Sequence, residues 1–172
     1  ALGRSVEVSR ATLFSIHDAE DDHYLRHRYE WVAEGFNPRK DLPELQNVPM
    51  RKIGLGRLYE ELSAGRCVHV KVRELTGSER RVLEDQEVLS VVTAPLIVDH
   101  QLWGFIEFDD MVTERQWLIA EIEAQRAFIE AELRAEATGR PRADQTFTRF
   151  SPRALVITVT ELRLMAAAAI MG

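Results

Sequence analysis

Apolar and polar positions alternate from residue 6 to 16: Val6, Val8, Thr12, Phe14 and Ile16 share one parity, with Arg10 the exception. Such alternation predicts a half-buried strand. The acidic stretch 17–23 reads as a turn, and residues 24–33, with Tyr29, Trp31 and Val32, as a second strand completing a hairpin. Residues 67–72 set Val68, Val70 and Val72 against Cys67, His69 and Lys71, the pattern of a short strand. Residues 89–98 are almost continuously apolar, as in a central strand covered on both faces. After the turn Asp99-His100-Gln101, residues 102–109 (LWGFIEFD) supply its antiparallel partner.

Helical spacing appears in three places between and after these strands. Leu55, Leu58, Tyr59 and Leu62 recur at helical intervals over residues 55–64, and Gly65 follows as a stop. Residues 76–87 form a helix opened by Thr76 and Glu79 at capping-box spacing. Thr113 and Gln116 have the same spacing and are expected to open a long helix reaching about residue 137. Its apolar stripe is Leu118, Ile122, Ile129 and Leu133, widened by Trp117, Ala124 and Phe128. That width suits packing on the sheet and on a second helix, so the stripe is a candidate homodimer face. Residues 34–50 carry Pro38, Pro43 and Pro49 and read as an irregular loop.

The order strand, strand, loop, helix, strand, helix, strand, strand, long helix predicts an α+β fold: an antiparallel sheet with helices on both faces. Residues 1–137 form the domain, 138–150 a polar linker, and 151–172 a tail segment opened by Ser151-Pro152 and expected to be helical.

The chain has 172 residues and a formal net charge of −6. Its arginines are scattered among acids, which argues against a nucleic-acid surface. Cys67 is the single cysteine, so no internal disulfide forms and the chemistry suits a reducing cytoplasm. No stretch approaches the roughly 18 apolar residues of a membrane span. The chain starts at Ala1 directly in a strand-like pattern and is expected to be a piece of a longer protein.

Several strings together resemble the GAF family: VSRATLF (8–14), YEWVAEG (29–35), LSAGRCVHV (62–70) and, most specifically, SVVTAPLIVDHQLWGFIEFDD (90–110) followed by Arg115, Trp117 and Glu121. The pattern is similar to GAF domains of sensor histidine kinases and cyclic-di-nucleotide enzymes. It implies a regulatory module that binds a small molecule on the sheet face away from the long helix. In this sequence the lining candidates are Phe14, Tyr29, Trp31, Met50, Leu58, Leu62, Val70, Leu83 and Val91. Gly104 is expected where another segment approaches the sheet closely, and Asp109-Asp110 at the positive end of the long helix. The family usually has a helix before the first strand, for which only residues 1–5 are present; the tail or a second subunit is expected to take its place.

No catalytic constellation accompanies the resemblance. Methionine sulfoxide reductase chemistry needs a resolving thiol beside Cys67. Covalent bilin attachment needs a cysteine within residues 78–86, which hold none. Asn37 and Asn47, with Phe105 followed by Asp109-Asp110, echo a cyclic-nucleotide signature only in part. His17, His23, His27, His69 and His100 make no metal-ligand spacing. The chain is therefore expected to be a non-enzymatic, cytoplasmic sensory module that binds an unidentified small molecule, signals to an output domain and pairs with a second copy. The alternative is a ligand-free dimerisation scaffold. No particular cofactor is implied.

Overall fold

The computed structural model describes residues 8–39 and 42–139. Most of the expected linker and all of the 151–172 tail lie outside the described residues. A six-stranded sheet is built from β1 (Arg10–Asp18), β2 (His23–Val32), β3 (Val48–Pro49), β4 (Val68–Lys71), β5 (Ser90–Val98) and β6 (Gln101–Asp110). Their order across the sheet is β3-β2-β1-β6-β5-β4, and every neighbouring pair is antiparallel. Three α-helices, α1 (Gly56–Ser63), α2 (Gly77–Glu84) and α3 (Ile119–Gly139), and two short 3-10 turns at Pro43–Leu45 and Val72–Glu74 accompany it. None of the described helices is long and apolar enough to cross a membrane.

The two hairpins that the alternation predicts are present, each with a distinct turn. In β5–β6, Val98 pairs with Gln101, and Asp99 and His100 have φ of 51° and 66°. Two left-handed residues between paired ends are the signature of a type I′ turn, whose twist matches that of the strands. In β1–β2, the Asp22 carboxylate takes N–H bonds from His23, Arg51 and Lys52, fastening the turn to the segment after β3. Gly65, at φ 76°, closes α1: its N–H bonds to Leu62 O and that of Arg66 to Glu61 O, a Schellman motif.

Apolar residues fill both sides of the sheet. Ala11, Leu13, Val92, Ala94, Ile106 and Phe108 face α3 and meet Trp117, Ile122, Ile129 and Leu133. On the opposite side Phe14, Leu25, Met50, Leu62 and Phe105 form a second core beside α1, and Val72, Val88 and Val91 a third near α2. Val8 belongs to the α3 side, so it does not share a face with Phe14 as its parity suggests.

The long helix does not begin at a Thr113–Gln116 capping box; it begins at Ile119. Thr113 is committed elsewhere, because its hydroxyl and its N–H both donate to the Asp110 carboxylate. Asp110 also accepts from Val112 N–H and Arg115 Nε. Ser90 Oγ accepts the Arg115 N–H at 3.0 Å and donates to Thr113 O at 3.3 Å. Asp110 therefore ties a strap across β5 and sits well before the helix, not at its N-terminus. At α2, Thr76 is the N-cap residue, but its side chain makes no capping bond.

Candidate functional site

A cavity of about 340 Å3 lies between the sheet and the α1–α2 layer. The sheet face beneath it is built of residues in register across three strands, of which Phe14, Phe105, Thr93, Glu107 and Val91 line the cavity. Phe14 pairs with Phe105 to make an apolar row. The next row is polar: Thr12 on β1, Glu107 on β6 and Thr93 on β5. Arg10, Asp109 and Val91 form the third. Period-two alternation puts all three rows on one face while Ala11, Leu13, Val92, Ile106 and Phe108 point towards α3. Leu58 of α1 and Leu83 of α2 cover the floor, with Val68 and Val70 of β4 on one side.

At one end of this apolar chamber is an ion cluster. Arg10 Nε donates to Asp109 Oδ2 at 2.7 Å, and its Nη2 to Gln86 Oε1 at 3.1 Å. Arg39 arrives from the loop after β2. Its Nη2 donates to Glu107 Oε1 at 2.7 Å and to Thr12 Oγ1 at 3.1 Å, and its Nη1 donates to Gln86 Oε1. The Arg39 N–H bonds to Glu30 Oε2 at 2.8 Å, and Arg39 Nε lies 3.5 Å from Glu30 Oε1. The side chains of Arg10, Glu30, Arg39 and Asp109 are each at most 6% exposed and that of Glu107 is 13% exposed. Behind Glu30, the buried His27 ring packs edge-on against Phe14.

Burial sets the titration of this cluster, and its partners then divide it. Burial, reinforced by the Glu107 charge, pushes Asp109 up to about 6 against the pull of Arg39 and Arg10. Glu30 moves the other way: burial raises it, but His27 and the Arg39 N–H and guanidinium hold it below its ordinary value. Burial also works against the charge on Arg39, yet Glu107, Asp109 and Glu30 keep it a guanidinium.

Of the candidates named from the sequence, Phe14, Leu58, Val70, Leu83 and Val91 line the cavity. Met50 and Leu62 are fully buried in the wall behind it, packed with Phe14 and Phe105. Tyr29 and Trp31 lie on the opposite face, in the α3 core. The cause is a bulge: Leu13 pairs with Tyr29 but Phe14 pairs with His27, leaving Arg28 as an extra residue in β2. One inserted residue reverses the side-chain parity beyond it. It therefore turns Glu30 inward to the cluster and Tyr29 outward.

Ile122, Ile129 and Leu133 of the candidate dimer stripe are buried against the chain's own sheet, while Leu118 precedes the helix and is 59% exposed. The polar cluster is not among the expectations from the sequence, although Arg10 breaks the apolar parity of β1. Glu107 and Asp109 do the same at the parity of Phe105. Charged residues at inward positions of adjacent strands are the available signal.

Cys67 is on the α3 side, 3.3 Å from Glu123 Oε1, and burial together with that carboxylate pushes its thiol up to about 11. Among the described residues no group of three or more His, Cys, Asp or Glu side chains stands where it could hold a metal ion.

The GAF domain family model matches residues 1–131. The methanogenesis regulatory histidine kinase FilI of Methanothrix harundinacea is 34% identical over 143 residues, which is 78% of this chain and 16% of that kinase. The chain thus spans about one sixth of the length of this relative. Among solved structures, the blue-light-absorbing form of the PixJ GAF domain from Thermosynechococcus elongatus superposes with a TM-score of 0.56 at 21% identity, covering 76% of this chain and 79% of that one. The red-light-absorbing state of NpR6012g4, a red/green cyanobacteriochrome, gives 0.61 at 18% identity, covering 79% and 88%. At these identities the likeness is one of fold.

Proposed function

Because the chain belongs to the GAF domain family, we propose that it is the sensory module of a signal-transduction protein, binding a small molecule in the cavity over β1, β6 and β5. The observation that carries this reading is the cavity itself. A chamber of about 340 Å3 with mostly apolar walls and a few polar groups on the sheet floor has the size and lining of a small-ligand site. A ligand-free scaffold has no need to keep such a space open beneath α1 and α2, since filling it would add stability.

One route outward runs through β5. Val91 and Thr93 of β5 face the cavity, while Val92 and Ala94 face the α3 side. On that side Glu130 Oε1 accepts the Ile97 N–H at 2.8 Å and Arg134 Nη2 donates to Ile97 O at 3.1 Å. A ligand that displaces β5 changes the seat of α3 directly, a helix shift of the kind that carries signals between domains. The likeness to a histidine kinase of which this chain matches only a part supports an output domain beyond the module. We assign the module no catalysis: the only thiol is on the other face with its proton held tightly.

A thermal-shift screen of the whole chain against nucleotides, tetrapyrroles and small metabolites tests the reading. A true ligand raises the melting temperature by mass action, about 2.7 kcal/mol of stabilisation at one hundred times its dissociation constant. Leu83→Trp, which fills the cavity, must abolish the shift. No shift with any compound, together with a ligand-free crystal structure in which side chains occupy the cavity, would leave only the scaffold.

A further inference from the structure

We infer that the cavity takes a ligand with a cationic amine head on an apolar body, the head seated between Glu107 and Thr93. This rests on the ligand-binding reading above and goes beyond it to the chemistry of the ligand.

Two observations independently point to the head. The first is an open acceptor. Glu107 lines the cavity, and only its Oε1 is engaged, by Arg39. The second oxygen makes no hydrogen bond among the described residues. The second observation is Thr93, directly across the β5–β6 pairing from Glu107. It is 4% exposed, lines the cavity, and its hydroxyl has no hydrogen-bond partner among the described residues. That hydroxyl opens onto the cavity, where a ligand group can bond it. The two residues are cross-strand neighbours that both line the cavity, close enough for one ammonium to reach both.

Charge decides the sign of the head. In the cluster, two guanidiniums, Arg10 and Arg39, stand against three carboxylates, Glu30, Glu107 and Asp109. Burial and the Glu107 charge push Asp109 up against both arginines. Arg39 does not offer an anion site, because its guanidinium already binds Glu107, Thr12 and Gln86. His27 stands behind Glu30 and does not line the chamber. From the helices, the charged lining residues are Arg57 and Glu61 of α1 and Glu79 of α2. Glu61 is held by Arg66, and Glu79 makes no ion pair among the described residues, so the margin adds no net attraction for an anion. Charge-assisted bonds are stronger than neutral ones.

Matched probes on one skeleton test this: 4-phenylbutylamine, 4-phenylbutan-1-ol and 4-phenylbutyrate, titrated calorimetrically into the whole chain. The amine is expected to bind at least tenfold more tightly than the alcohol, and the carboxylate not measurably. Glu107→Gln should remove the preference for the amine and change the alcohol's affinity by less than twofold. Thr93→Val, which leaves the ion cluster intact, should weaken the amine at least threefold and serves if Glu107→Gln fails to fold. Carboxylate binding as tight as that of the amine, or an unchanged amine preference in both variants, overturns the inference. If the alcohol or carboxylate binds best and Leu83→Trp abolishes that binding, the inference falls while the cavity reading survives. If none of the three binds, the inference also falls, and the wider ligand screen decides the cavity reading separately.

Discussion

Arg10 and Asp109 face each other across the two central strands, β1 and β6, with the guanidinium Nε 2.7 Å from the carboxylate Oδ2 and both side chains almost fully buried. Removing one member of such a pair strands the other. Arg10→Met is expected to destabilise the chain by about 3–5 kcal/mol, read from urea unfolding. Arg10→Met combined with Asp109→Leu should recover a large part of that loss, since no charge is then left buried alone. A single substitution costing less than about 1 kcal/mol would mean the pair is solvated.

Asp109 also sets a pH dependence. Its folded value of about 6 lies above the ordinary 3.8, so the folded chain holds this proton more tightly than the unfolded chain. The resulting stabilisation is fully present at low pH and is lost as the pH rises through about 6. Glu30, held below its ordinary value, contributes in the opposite sense, and its stabilisation is lost only at more acid pH. Asp109→Asn should make the melting temperature respond less favourably than wild type to a shift from about pH 7.5 to 5. Identical responses would place the Asp109 proton elsewhere.

Gly104 of β6 lies against the β1 backbone with no room for a side chain. A Cβ there would lie 2.0 Å from the carbonyl oxygen of Phe14 and 2.8 Å from Ser15 Cα, both backbone atoms. Gly104→Ala must therefore push the central strands apart, at a cost of at least about 3 kcal/mol. A melting temperature within a degree or two of wild type would contradict this packing.

Glu87 is exposed and has φ 60°, just after α2. Its N–H bonds to Glu84 O and the N–H of Val88 to Leu83 O, so it occupies the left-handed position that usually belongs to glycine. Glu87→Gly should stabilise the chain by about 1 kcal/mol, measured by chemical denaturation. No gain would show that the Glu87 side chain contributes as much as its backbone conformation costs.

The Cys67 thiol, raised to about 11, is expected to react with iodoacetamide about a hundredfold more slowly than an unperturbed thiol near pH 8. Cys67→Ser should leave ligand affinity unchanged, because the residue is on the far side of the sheet from the cavity. Any methionine sulfoxide turnover that Cys67→Ser abolishes would overturn the non-catalytic assignment.

The strands, both hairpins and the Gly65 stop were legible because each is a local pattern: alternation, a two-residue turn, a helix followed by glycine. The lining residues on β1, β4, β5, α1 and α2 follow from the same alternation and helical spacing, combined with the family resemblance. Tyr29 and Trp31 were misplaced because the bulge at Arg28 depends on how β2 meets β1, which no local pattern carries. Thr113 has the spacing of a cap, but its hydroxyl is already bound to Asp110, and that competition appears only once β5 and β6 are side by side. The ion cluster was hidden for the same reason. Arg10 and Arg39 read as solvated charges until strands far along the chain bring Glu107 and Asp109 to them.

The pairing of β1 with β6 has a consequence in time. A ribosome delivers Arg10 first and Asp109 ninety-nine residues later. The β1–β2 and β5–β6 hairpins are local and close quickly, but joining them closes a loop of most of the domain, a slow step in chains dominated by distant contacts. Until β6 emerges, β1 has an unpaired edge and two arginines have no carboxylates from β6 to meet, the condition in which nascent strands are prone to wrong partners. The cavity floor is completed by that same late strand, so a ligand can stabilise the finished sheet but cannot guide the early chain towards it.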